Sequence, residues 1–163
     1  MNASEILGDI TDPRFAGRTV HHVDIGWGDA AKHRQAVTAD TGLVVQITLP
    51  RGTFLRDDAV IADDGTDIVV VRRPAEDAIV VSFGDNDGIA GARRMLLLGY
   101  LLGNQHAPID VDEGSAAAPL FTSTGAALEL LASLGIAGEI RQTPLATHGW
   151  TRTSSDSHAG HHH

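Results

Sequence analysis

Imidazoles and carboxylates have the widest chemical range among these side chains, and one short run concentrates them: Gly99-Tyr-Leu-Leu-Gly-Asn-Gln-His106-Ala-Pro-Ile-Asp110-Val-Asp112. His106 follows an apolar stretch of helical character, at the end where the helix macrodipole favours a cation. If the chain is extended beyond it, His106, Asp110 and Asp112 share a face by period-two alternation. Imidazole beside carboxylates suits borderline divalent metals such as nickel, zinc, cobalt and copper. A lone histidine in a turn is also commonly a solvated or hydrogen-bonded side chain, so spacing alone leaves both readings open.

Nine histidines are present, and four of them, His158, His161, His162 and His163, fall in the last six residues. Such a tract binds metal by composition, without fixing a coordination geometry. It reads either as a native collecting tail, which the Ala159-Gly160 interruption favours, or as an appended tag. Gly26-Trp-Gly28-Asp-Ala-Ala31 fits a dinucleotide fingerprint in letters only, because a β-rich stretch follows where a helix is required. His21 and His22 are adjacent on an expected strand, point to opposite faces and read as ordinary sheet residues. The acidic residues between Asp57 and Asp87 fall mostly in turns and read as a solvated surface. The sequence holds no HExxH, GxSxG, P-loop or EF-hand pattern, so catalysis has little support.

The elements that must position these residues divide in two. Over residues 1–74, β-branched runs (Thr19–Ile25, Gln35–Ala39, Leu43–Leu49, Val60–Ala62, Ile68–Arg72) alternate with turn signals such as Asp40-Thr41-Gly42 and Asp63-Asp64-Gly65. This spacing predicts a small all-β, sandwich-like domain. Residues 75–143 read differently. Ala78–Phe83 is a buried strand, and Asp85-Asn86-Asp87 offers capping side chains for a helix over Ile89–Leu102 that stops at Gly103-Asn104. Strands at Pro108–Asp112 and Ala117–Phe121, a helix over Ala126–Leu134 ended by Gly135, and a strand at Ile136–Thr143 complete the order βαββαβ, a ferredoxin-like arrangement. Residues 144–163 are polar and rich in Ser, Thr and His, the composition of a flexible tail. The expected fold is therefore α+β.

The 163 residues suffice for one ordinary domain or two small ones. Twelve Lys and Arg against 21 Asp and Glu leave a net charge of −9, which argues against nucleic acid or an anionic membrane as partner. Cysteine is absent, which removes disulfides, thiolate catalysis and Cys-type zinc sites. The most apolar stretch, Met95–Leu102, is eight residues long, whereas a membrane-spanning helix needs about 20. The opening MNASEILGDI has neither a basic region nor an apolar core, so a cytoplasmic location is expected.

Leu102-Gly-Asn-Gln-His106-Ala-Pro108 is similar to the Leu-Gly-Asn-Arg-His-x-Pro motif of the UreE family of urease accessory proteins, nickel metallochaperones. Leu130-Leu131-x-x-Leu134-Gly135 resembles a helix end of that family. Trp27, Lys32, Arg34, Thr38 and Gly42, with Leu49-x-Arg51-Gly52-x-x-Leu55-x-Asp57, match the spacing of its first domain. The similarity runs from about residue 4 to residue 143. It departs at Gln105, where Arg is usual, at Asp57-Asp58, and at Thr147-His148-Gly149-Trp150, which stands where the family has Pro-Glu-x-Gly-Ala-Tyr.

The resemblance implies a peptide-binding-like first domain, a ferredoxin-like metal-binding second domain and a homodimer holding nickel through the motif histidine of both subunits. It further implies nickel delivery during urease assembly, with zinc or copper as other metals. Urease apoprotein and other accessory proteins, a GTPase among them, are the implied partners. The candidate metal residues are His106, at the centre, and His148, His158, His161, His162 and His163 as collectors or closing ligands. The competing readings are a peptide-binding co-chaperone with an incidental metal site and a zinc hydrolase, which would need a further ligand and a general base that the sequence does not offer.

Overall fold

In the computed structural model, residues 1–149 are described, and they fall into two compact units. The first comprises Met1–Pro74 with Thr147–Gly149 and the second Ala75–Ala146. Among the described residues no helix is long and apolar enough to cross a membrane. The described residues are α+β, mostly sheet with two α-helices.

The first unit holds seven strands: β1 (Asn2–Ala3), β2 (Gly8–Asp9), β3 (Thr19–Asp24), β4 (Arg34–Thr38), β5 (Val44–Thr48), β6 (Ala59–Asp63) and β7 (Asp67–Arg72). They form a three-stranded sheet, β1-β5-β4, and a four-stranded sheet, β2-β6-β7-β3. Val45 and Ile47 of β5 alternate with exposed residues, as a strand with one solvated face must. They share a core with Val23, Ile25, Leu55, Val69 and Val71. Ile68 and Val70 of β7 point the other way, into a second cluster with Phe15 and Val60. The unbroken Ile68-Val-Val-Val71 run is thus apolar because both faces of β7 are buried. The turns between strands are closed by their own aspartates. Asp63 accepts the Gly65 amide at 2.8 Å, and Asp64 accepts those of Thr66 and Asp67 at 3.0 and 2.9 Å. The acidic turn residues are therefore fastenings as well as solvated surface.

The second unit runs β8 (Ala75–Ser82), α1 (Gly88–Asn104), β9 (Asp110–Val111), β10 (Ser115–Pro119), α2 (Thr124–Leu134) and β11 (Gly138–Pro144), with sheet order β11-β8-β10-β9 and antiparallel neighbours throughout. Ile79 and Val81 of β8 and Ala116 and Ala118 of β10 alternate onto one face. They meet Leu98 and Leu102 of α1 and Ala127 and Leu131 of α2, each an i, i+4 pair. Ser123 caps α2 by accepting the Ala126 amide at 3.2 Å, and Gly135 ends it at φ 65°.

Two expectations about this unit need correction. Residues from 144 onward do not all behave as a tail. β11 continues to Pro144 through pairing with Ala75, and Leu145 and Ala146 are each 1% exposed. The polar composition of the segment hides these two apolar residues. Asp87 is the N-cap of α1 but makes no side-chain cap bond. Its neighbour Asn86 is buried instead, donating to the Ser82 and Ala137 carbonyls at 2.8 Å each and accepting the Ala137 amide at 2.9 Å.

Candidate metal centre

His106 owes its position to the way α1 stops. The sequence places the stop at Gly103-Asn104, but the helix continues through Asn104 and Gln105 is its C-cap. The His106 amide donates to the Gly103 carbonyl and the Ala107 amide to the Leu102 carbonyl, both at 3.0 Å. That pair of bonds is a Schellman motif with His106 at the left-handed position, φ 54°, which glycine usually fills. Ala107 and Ile109 are partly buried against the core of the second unit, while His106 is exposed. The imidazole thus stands out from a turn whose neighbouring residues are anchored. It makes no hydrogen bond or ion pair among the described residues.

The expected carboxylate partners are engaged elsewhere. Asp112 closes the β9–β10 turn: one oxygen accepts the Gly114 and Ser115 amides at 2.7 and 2.6 Å, and the other accepts the Ser115 hydroxyl at 2.9 Å. These bonds, the Gly114 amide first, hold its carboxyl below the ordinary 3.8. Asp110 accepts the Ala146 amide at 3.1 Å. The shared face fails because the left-handed residue breaks the extended period at its first member. Among the described residues no three His, Asp or Glu side chains converge on a point that could hold a metal ion.

His148 is exposed and belongs to the first unit. His106 belongs to the second. His158, His161, His162 and His163 lie outside the described residues. His21 sits against the Thr41 hydroxyl with Asp67 at 3.9 Å, and His22 lies 3.4 Å from Asp40. They fasten β3 to the β4–β5 turn, since Asp40 also accepts the His22 amide at 3.0 Å. Gly26–Ala31 is a turn leading into β4, with no helix to present phosphate-binding amides. Sequence reasoning missed the bond between Asp110 and Ala146, which joins residues 36 apart and has no local signal.

One other surface adjoins this turn along α1. Ile89, Leu96, Leu97 and Tyr100 are 85, 74, 52 and 64% exposed, an apolar face opposite buried Leu98 and Leu102.

Residues 3–73 match the family model described as UreE urease accessory protein, N-terminal domain. Among curated relatives, the urease accessory protein UreE of Burkholderia ambifaria is 39% identical over 84 residues, covering 51% of this chain and 38% of its own length. That of Burkholderia mallei is 39% identical over 106 residues, covering 60% of this chain and 49% of the relative. That of Burkholderia thailandensis is 38% identical over 106 residues, covering 60 and 46%. The matches span less than half of the length of each of these relatives. Over those stretches the chain is similar to urease accessory proteins UreE, by its first 73 residues above all.

Proposed function

We propose that the chain is a nickel-carrying chaperone of urease maturation, with His106 as its central ligand. The observation that carries this reading is the exposed imidazole in a strained, well-anchored turn at the end of α1, beside an apolar helix face. One imidazole holds a divalent metal poorly, and a two-fold axis doubles it. The Ile89–Tyr100 face supplies the apolar surface for such an axis, which makes a homodimer the working form. His148, His158, His161, His162 and His163 then act as collectors or closing ligands. Nitrogen and oxygen ligands hold nickel less tightly than thiolates and can pass it on. The ferredoxin-like second domain is the metal-binding part and the β-rich first domain its peptide-binding-like companion. The acceptors are urease apoprotein and its accessory proteins, a GTPase among them, in the cytoplasm; zinc and copper would compete for the same imidazoles.

Calorimetric titration of nickel into the chain truncated after Thr153 tests this. One nickel per two chains is expected, lost in His106→Ala with circular dichroism unchanged. Undiminished binding by that variant would place the site elsewhere. The edge position of β4 in its sheet favours a second reading, a co-chaperone that pairs a client strand there. Absence of any nickel binding by the truncated chain would favour it.

A further inference from the structure

We propose that Asp110 is a positioning residue: it holds the far end of the His106 turn by clasping the amide of Ala146. The inference rests on the reading of His106 as the metal-binding imidazole. The near end of the turn is fixed by the two Schellman bonds. The far end is intrinsically weak, because β9 is only Asp110–Val111 and pairs with two residues of β10 at the sheet edge. Ala146 is left-handed, φ 49°, and 1% exposed. Its amide has left the β11 ladder and, being buried, requires an acceptor. Asp110 supplies one at 3.1 Å, and a carboxylate is a stronger acceptor than a carbonyl. With Ala107 and Ile109 packed against the core and Asp110 clasped, the His106 side chain is left exposed between fixed neighbours. A ligand held this way needs no reordering when metal arrives.

The alternative role for Asp110, direct coordination, makes the opposite demand on one substitution. Asp110→Asn keeps an oxygen to accept the amide but removes the charge that makes the side chain a good ligand. Nickel titration of the full-length chain is therefore expected to show near wild-type affinity in Asp110→Asn. In Asp110→Ala, affinity is expected to fall roughly three- to tenfold, the value of one such hydrogen bond, with faster amide exchange at Ala146. In a His106→Ala background, Asp110→Ala should change the remaining nickel binding by nothing further. Equal losses in Asn and Ala, an unchanged affinity in Ala, or an equal loss without His106 would each overturn the proposal. If Asp110→Ala does not fold, Asp110→Glu replaces it. That variant keeps the charge but displaces the acceptor, so weakened nickel binding is expected and unchanged binding overturns the clasp. Failure of the His106 reading is distinguishable: the wild type and His106→Ala would then bind nickel alike, while amide exchange at Ala146 would still respond to Asp110.

Discussion

A side chain with a Cβ held at φ 54° is paid for in stability, on the order of 1 kcal/mol, and His106 carries that penalty where glycine would carry none. The two bonds of the helix end and the packing of Ala107 offset it, and the gain is an imidazole aimed outward. His106→Gly is therefore expected to raise stability by roughly 1 kcal/mol in urea denaturation while removing nickel binding by the core. His106→Ala should lose the metal and leave stability near wild type, since it keeps the strain. A glycine variant less stable than wild type would mean that the imidazole itself holds the turn together. The residue was legible in the sequence as the histidine following an apolar helix. Its left-handed backbone was not, because Gly103 and Asn104 are better local candidates, and the true stop depends on Leu102 being drawn into the core and Ala107 docking beyond it. The jobs of Asp110 and Asp112 were equally hidden, one set by a partner 36 residues away and the other by the turn that follows.

At the scale of elements, α1 shows how a local preference is overruled. A glycine inside a helix costs about 1 kcal/mol relative to alanine, so Gly91 looks improvable. A Cβ there would lie 1.7 Å from the Asn86 carbonyl oxygen, which is backbone and cannot swing aside. Asn86 is itself locked between Ser82 and Ala137, so the first turn of α1 would have to move. Overpacking of this kind costs about 1–3 kcal/mol, which outweighs the propensity gain. Gly91→Ala is expected to lower the melting temperature in calorimetry, and a rise would show that the helix start shifts freely. The longer strands of the first unit were legible because their β-branched runs are bounded by turn signals such as Asp40-Thr41-Gly42 and Asp63-Asp64-Gly65. β1 and β2 were not. Each is two residues long and exists only through pairing with Gln46–Ile47 and Ala59–Val60, information that lies far along the chain.

At the scale of the whole molecule, the outward face of α1 carries Ile89, Leu96, Leu97 and Tyr100, apolar side chains that the core of their own unit does not cover. Its residues are exposed, so a charge placed there should trouble an isolated chain little. Leu97, 52% exposed, replaced by Glu should change chain stability by about 0.5 kcal/mol or less. In the proposed dimer the same carboxylate would be taken out of water opposite its own symmetry mate, on a chain already carrying −9. Burying unpaired charge costs several kcal/mol, which weakens association by roughly a hundredfold or more. Leu97→Glu is therefore expected to sediment as a monomer at concentrations where the wild type is a dimer, with an unaltered circular dichroism spectrum. Nickel affinity should fall in parallel, because the second His106 leaves with the partner. The two readouts separate two ideas. A variant that stays dimeric would remove α1 from the interface, whereas a monomer that binds nickel as tightly as wild type would refute the two-fold site and leave His106 to find its other ligands within one chain.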